Sequence, residues 1–308
     1  MGKETRERLQ ETVVYINGEY CSGVDAKISI FDAGFFLGAT VYDAISLRDG
    51  FLIKLDSHVR RFYEGMHSYS LEISLSKEEF KEVIFETVRR SKLKDGLVYE
   101  ASTYGVFPVE LRGGELGPPD RESTLIVYCS PYVWQGTKEA QKLGVKARIP
   151  KIKDYPIQCV GNRAKNWNRL NYYLATMELR GTEATIPLMT DMDGYVGQGT
   201  GANLWVVKDG KLFTPGGSIL YGITREAVFD IAKLEKIEAI ETRLTPYEVY
   251  NADEAFLSTS AGGLIPIIEV DRRRIGEGKP GPLTRHLTEA YWKMHVNPKY
   301  ATKVPGLS

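Results

Sequence analysis

Lys165 stands in a short polar segment, residues 161–181 (GNRAKNWNRLNYYLATMELRG). A lysine that can shed its proton is a nucleophile for carbonyl carbon. Leu170, Tyr173, Leu174 and Met177 recur at helical spacing, which predicts a helix starting near Asn166 or Asn168, both good N-caps. Lys165 would then lie just before a helix N-terminus, where the positive end of the dipole disfavours an ammonium. That suits a Schiff-base lysine, although a solvated lysine beside a cap is the commoner outcome for such a segment. Three further stretches suit an anion. Residues 218–225 (SILYGITR) set a glycine and the Thr224 hydroxyl at a predicted helix start, where backbone N–H groups would meet a phosphate. Residues 258–263 (STSAGG) form a second hydroxyl- and glycine-rich turn at a strand end. Arg61, in the run His58-Val-Arg-Arg61, would sit on a helix and reach an anion. By contrast, residues 197–203 (GQGTGAN) are not a P-loop pattern and fall between strands. An ordinary N-cap, a plain turn and a surface arginine are the default readings of these signals taken singly.

The elements that must position these groups are mixed strands and helices. Asn17-Gly18, Asp49-Gly50 and Asp209-Gly210 are hairpin turns between apolar runs, and Asp193-Gly194 is a further turn. Strands are predicted at 27–31, 41–47, 51–55, 97–104, 125–129, 145–149, 184–189, 202–207, 211–214, 256–259 and 264–270. Helices are predicted from a cap at Asp56-Ser57 to about Tyr69, from Ser76 to about Arg90, and at 224–232, 245–250 and 282–294. The stretch 105–120, with four glycines and three prolines, is a functional or mobile loop. Strands and helices do not alternate regularly, so the expected fold is α+β in two domains. The expected division is a small α+β domain over 1–130, a linker at 131–140, and a larger, strand-rich, barrel-like domain over 141–308.

Composition narrows the function classes. Lys plus Arg and Asp plus Glu both number 40 in the 308 residues, so neither nucleic acid nor an anionic membrane is implied as a partner. No apolar run reaches membrane-spanning length and the N-terminus lacks a signal-peptide core, which favours a cytoplasmic protein. Three scattered cysteines and four histidines form neither a disulfide framework nor a metal cluster.

The order of motifs says more than any one of them. YINGEY, GFFLGATVYDAI, KLDSHVRRF, RAKNWNRLNYYLA, DGYVGQGTGANLWVVKDGKLFTP, LYGITR, ADEAFLSTSAGG and GEGKPGPLTRHLTEAYW run from about Val14 to Met294. In this order they resemble the fold-type IV (class IV) pyridoxal-phosphate aminotransferases: the branched-chain, D-amino acid and (R)-selective amine transaminases. STSAGG and AYWKMHV look most like the (R)-amine branch. The resemblance implies the cofactor pyridoxal 5′-phosphate, placed between the domains, and a homodimer or higher homo-oligomer. It implies that Lys165 forms the Schiff base with the cofactor and shuttles the proton. It further implies that Arg61, the N–H groups of Ile223 and Thr224, the Thr224 hydroxyl and Ser260 hold the phosphate, with Leu220 against the ring. Tyr42 would line the substrate pocket, Ser260, Ala261 and Gly262 would face the substrate carboxylate or its equivalent, and Arg112 is a candidate carboxylate ligand.

The sequence departs from the family pattern in two places. Gln198 stands where a glutamate normally faces the pyridine nitrogen, and a neutral amide cannot offset a pyridinium charge. On that ground Gln198→Glu is expected to speed transamination. Arg169 and Leu170 occupy positions where relatives often place an aromatic residue. The expected function is ping-pong amino transfer between an amine or amino acid and a 2-keto acid. The alternatives are a lyase of the aminodeoxychorismate lyase type, or a cofactor-binding protein whose activity is weakened or lost through Gln198.

Overall fold

Asn17-Gly18, Asp49-Gly50 and Asp209-Gly210 each hold both residues at positive φ (45° and 99°, 49° and 76°, 50° and 72°), the tight hairpin geometry that Asn, Asp and Gly tolerate. The computed structural model describes residues 2–106, 123–132 and 138–307. Arg112 lies outside the described residues. The chain is α+β and forms two compact units, Met1–Val133 with Ala164–Asn168 and His295–Ser308, and Trp134–Arg163 with Arg169–Met294.

The first unit contains α1 (Lys3–Glu11), β1 (Val13–Ile16), β2 (Glu19–Ser22), α2 (Ala33–Phe36), β3 (Thr40–Arg48), β4 (Phe51–Ile53), α3 (Leu55–Ser68), α4 (Lys77–Ser91), β5 (Gly96–Thr103), β6 (Leu125–Ser130) and the late strand β16 (Ala301–Lys303). Its seven strands form an antiparallel sheet in the order β16-β4-β3-β5-β6-β1-β2. Helix α3 buries Leu55, His58, Val59, Phe62 and Met66 on one stripe, and α4 buries Phe80, Ile84 and Val88. The two helices meet through stacked Phe62 and Phe80 rings, 5.1 Å apart. Helix α4 begins with the capping box Ser76/Glu79 that its sequence suggests. Helix α3 departs from expectation: Asp56 and Ser57 are inside it, and the N-cap is Lys54 in the left-handed region. The strand expected at 27–31 is absent because that stretch has no partner strand; it leads instead into α2, capped by Asp32.

The second unit contains α5 (Lys138–Leu143), β7 (Val145–Arg148), α6 (Leu170–Met177), β8 (Ile186–Thr190), β9 (Val196–Gly199), β10 (Ala202–Lys208), β11 (Lys211–Pro215), α7 (Ile223–Glu235), β12 (Ala239–Thr242), α8 (Pro246–Tyr250), β13 (Glu254–Thr259), β14 (Gly263–Val270), β15 (Arg273–Arg274) and α9 (Pro282–Met294). Strand β9 pairs with both β8 and β10, closing β9-β10-β13-β14-β7-β8 into a six-stranded barrel. The β14–β7 and β7–β8 pairs are parallel and the other barrel pairs antiparallel. Leu188, Leu204, Leu257 and Ile265 belong to its buried apolar core. Trp205 is fully buried between the rings of Phe256 and Phe229 and ties β10 and β13 to α7.

Candidate active site

In the first unit, Lys165 is held by its backbone. Its carbonyl accepts the Tyr42 N–H (2.8 Å), so residues 164–168 run beside β3. Trp167 N–H donates to Thr40 Oγ1 (3.2 Å) and Asn168 Nδ2 to the Gly38 carbonyl (2.8 Å). Gly38 has φ +68°, and a Cβ there would stand 2.2 Å from Asn168 Oδ1, so both the turn and the contact require glycine. The Trp167 ring stacks on Tyr42 at 5.3 Å, and Lys165 Nζ lies 4.7 Å from the centre of the Tyr42 ring.

This corrects the expected position of the lysine. Helix α6 starts at Leu170, with Arg169 as N-cap, and neither asparagine caps it. Asn166 instead donates to Tyr69 Oη (2.8 Å) and the Ala164 carbonyl, and its Oδ1 accepts the Asn168 N–H (2.9 Å). With the helix beginning so late, its dipole is not what acts on Lys165, since that field fades within the first turn.

Arg61 is fixed by a buried carboxylate. Asp43, on β3, accepts from Arg61 Nε (2.8 Å) and Nη2 (2.6 Å) and pairs with His58 Nδ1 (2.9 Å). Burial alone would raise the Asp43 carboxyl, but Arg61 and His58 overcome it and hold it far below the usual range. His58 is buried and its burial keeps the imidazole neutral against the pull of Asp43. The neighbouring strand brings Glu100 directly opposite Asp43. Burial, then the Asp43 charge, push the Glu100 carboxyl well above normal, so it carries its proton. Neither Asp43 nor Glu100 was an expected site residue.

In the second unit Gln198 and Asn203 are cross-strand partners on β9 and β10. They hold the backbone on both sides of Leu220. Gln198 Oε1 accepts the Leu220 N–H (3.1 Å), while Asn203 Nδ2 donates to the Leu220 carbonyl (2.7 Å) and Asn203 Oδ1 accepts the Gly222 N–H (3.1 Å). A Cβ on Gly222 would come within 2.2 Å of Asn203 Oδ1. Gly222 is the N-cap of α7 and offers no side-chain bond to the first turn, whose N–H donors come from Ile223 and Thr224. The expected turn Ser260-Ala261-Gly262 joins β13 to β14, shaped by Thr259 Oγ1 accepting the Ala261 N–H (3.2 Å) and by Gln141 donating to the Gly262 carbonyl.

Gln198 also reaches inward. Its Nε2 donates to Asp154 Oδ2 (2.8 Å) and Tyr172 Oη (2.7 Å). Asp154 Oδ1 accepts from Asn171 Nδ2 (3.0 Å) and the Tyr155 N–H (2.9 Å). This explains an inversion on α6, where the buried residues are Asn171 and Ala175 and the apolar row Leu170, Tyr173 and Leu174 faces outward. Asp154 sits in a loop with no motif to announce it. The expected residues therefore fall into two groups: Tyr42, Arg61 and Lys165 in the first unit, and Gln198, Leu220, Ile223, Thr224, Ser260, Ala261 and Gly262 in the second.

The family model for amino-transferase class IV matches residues 40–270. A putative branched-chain-amino-acid aminotransferase of Methanocaldococcus jannaschii is 32% identical over 293 residues, 94% of this chain and 98% of that protein. This chain belongs to the class IV aminotransferases. The Pseudomonas aeruginosa branched-chain-amino-acid aminotransferase is 30% identical over 92% of this chain and 93% of its own length. Among solved structures, the Escherichia coli branched-chain enzyme matches with a TM-score of 0.89 at 26% identity, covering 95% of this chain and 99% of its own. The T.th. branched-chain enzyme, solved with pyridoxamine 5′-phosphate, gives 0.88 at 28%, covering 95% and 98%.

Class IV aminotransferases work with pyridoxal 5′-phosphate. This aminotransferase's residues fit that group. In the second unit the first turn of α7, with its glycine N-cap, offers neutral N–H donors that suit a phosphate. The cofactor supplies the electron sink on which amino transfer depends.

Proposed function

We propose that this aminotransferase moves an amino group between an amino acid and a 2-keto acid in two half-reactions, with Lys165 as the covalent attachment point and proton carrier. The observation that carries the reading is the clamped backbone of Lys165: its carbonyl accepts the Tyr42 N–H, and its amine lies beside the Tyr42 ring. In this reading Lys165 Nζ would take the proton from the substrate carbon that bears the amino nitrogen and return it to the carbon on the other side of that nitrogen. Arg61, the Ile223 and Thr224 N–H groups, the Thr224 hydroxyl and Ser260 bind the phosphate, and Leu220 packs on the ring. Gln198 meets the ring nitrogen. Tyr42 and the Ser260–Gly262 turn shape the substrate pocket. The names of the relatives support branched-chain amino acids and their 2-keto acids as substrates. A cytoplasmic homodimer completes the proposal.

Borohydride reduction of the cofactor-loaded protein, followed by peptide mapping, should place the pyridoxyl group on Lys165. Lys165→Ala should lose turnover of leucine with a 2-keto acid acceptor while keeping its fold. A pyridoxyl group on another residue, or on none, overturns the assignment.

A further inference from the structure

Asp154 lies outside the motifs of the family, yet it is among the most heavily bonded carboxylates in the second unit. It is 6% exposed and Gln198 is 4% exposed. Five neutral donors turn toward Asp154: Gln198 Nε2, the Tyr155 N–H, Asn171 Nδ2, the Tyr172 hydroxyl (3.3 Å) and Asn162. Burial pushes the carboxyl up against the opposing pull of those donors. Such a pocket gains from a cation nearby, because neutral donors do not offset a buried charge in full.

The orientation of Gln198 follows from this anion. A carboxylate accepts only, so Gln198 must present Nε2 to Asp154. The other Nε2 hydrogen goes to Tyr172 Oη, which leaves Oε1 as the face available to anything else. One lone pair of Oε1 takes the Leu220 N–H and one remains. A group that meets the amide there must be a donor. A pyridine nitrogen satisfies that only when it carries a proton.

We propose that Asp154 is a positioning residue which, by fixing the amide of Gln198, selects the protonated pyridine nitrogen of the cofactor and supplies at one remove the negative charge that a glutamate at position 198 would supply directly. The proton comes from water and stays on the ring nitrogen. The inference rests on the proposed meeting of Gln198 with that nitrogen. It replaces the expectation that the glutamine leaves the ring without an anionic partner.

The test loads pyridoxal phosphate labelled with ¹⁵N in the ring into the wild type and into Asp154→Asn, Gln198→Leu and the exchanged pair Asp154→Asn/Gln198→Glu. The ring ¹⁵N shift is then followed from pH 6 to 9. A wild-type signal in the pyridinium range is expected. In Asp154→Asn the amide of Gln198 should turn over to avoid a donor facing a donor, and the ring nitrogen should lose its proton with a tenfold or greater fall in its protonation constant. The exchanged pair keeps the donor and acceptor count and should restore the pyridinium signal. A neutral nitrogen in the wild type at pH 7 overturns the proposal, a result that needs no variant to fold. A pyridinium signal unchanged in Asp154→Asn but moved in Gln198→Leu also overturns it, with the ring assignment of Gln198 intact. A signal that none of the Gln198 variants moves removes that assignment and the inference with it.

Discussion

A buried carboxyl such as Glu100 acts on the protein through its proton. Both its oxygens are buried without a hydrogen-bond partner among the described residues, directly across from ionised Asp43. The folded chain therefore keeps the Glu100 proton while the unfolded chain releases it near 4.5. Above that pH the unfolded state binds fewer protons, so this group makes stability fall as pH rises, up to the raised folded value. The slope is at most about 1.4 kcal/mol per pH unit. Glu100→Gln keeps the shape and removes the titration, so the urea midpoint should fall less from pH 5 to pH 8 than in wild type; equal falls would refute this role. Gln198 offers a second case. The single change Gln198→Glu would set a new carboxylate where Nε2 now lies 2.8 Å from Asp154 Oδ2. Two such groups cannot both ionise freely, and one holds a proton. The rate gain expected from the glutamine's neutrality should therefore fail in the single variant, which should also melt at a lower temperature, and emerge in the exchanged pair. A faster single variant with unchanged melting would contradict this. Residue types made Lys165 and Arg61 candidates, but nothing in the sequence near Asp154 announced its bond to Gln198, because that bond depends on loop and strand meeting in space.

At the scale of elements, local chemistry was legible and direction was not. The Asn-Gly and Asp-Gly pairs and the Ser76/Glu79 box act within a few residues, so their outcome depends on little else. The period of Leu170, Tyr173 and Leu174 announced a helix, yet its buried face is the polar one, since Asn171 is drawn to Asp154. A moment in the sequence gives a face, and tertiary partners decide what that face meets. The same dependence makes the turn at Leu220 a point of control. Asn203 holds it by two bonds, to the Leu220 carbonyl and from the Gly222 N–H. Two such bonds are together worth about 1–3 kcal/mol. Asn203→Ala should loosen the start of α7 and weaken cofactor binding roughly 5- to 150-fold, read by equilibrium titration of the apoprotein with pyridoxal phosphate. An unchanged affinity would show that the first turn of α7 holds no phosphate.

At the scale of the molecule, closure comes from pairings far apart in the chain. Strand β16 joins β4, and β9 closes on β8 and β10, while residues 164–168 return to the first unit from within the second half. Two α+β domains with a strand-rich second one were legible from element order, but such returns leave no local mark. Among the described residues no helix is long and apolar enough to cross a membrane. The surface nevertheless carries a strongly apolar segment. Ile30, Phe35 and Leu37 are 69%, 68% and 62% exposed, with Ile28, Phe31 and Phe36 also exposed beside them. This is no frayed loop. Asp32 is buried at its centre and accepts from Thr103 Oγ1, Thr124 Oγ1 and the Gly34 N–H, and the Ala33 N–H donates to the Gly105 carbonyl. The segment is pinned from below, so its apolar side chains are held outward, and a patch of that kind marks an interaction site. A second copy of this chain is the partner that the proposed homodimer supplies. Phe35→Ser with Leu37→Ser removes apolar surface without touching Asp32, so the variant should stay folded by circular dichroism. In sedimentation velocity at micromolar concentration the wild type should run as a dimer and the double variant shift toward monomer. A dimer that persists in the double variant would assign the interface to another face, and a monomeric wild type would end the dimer proposal.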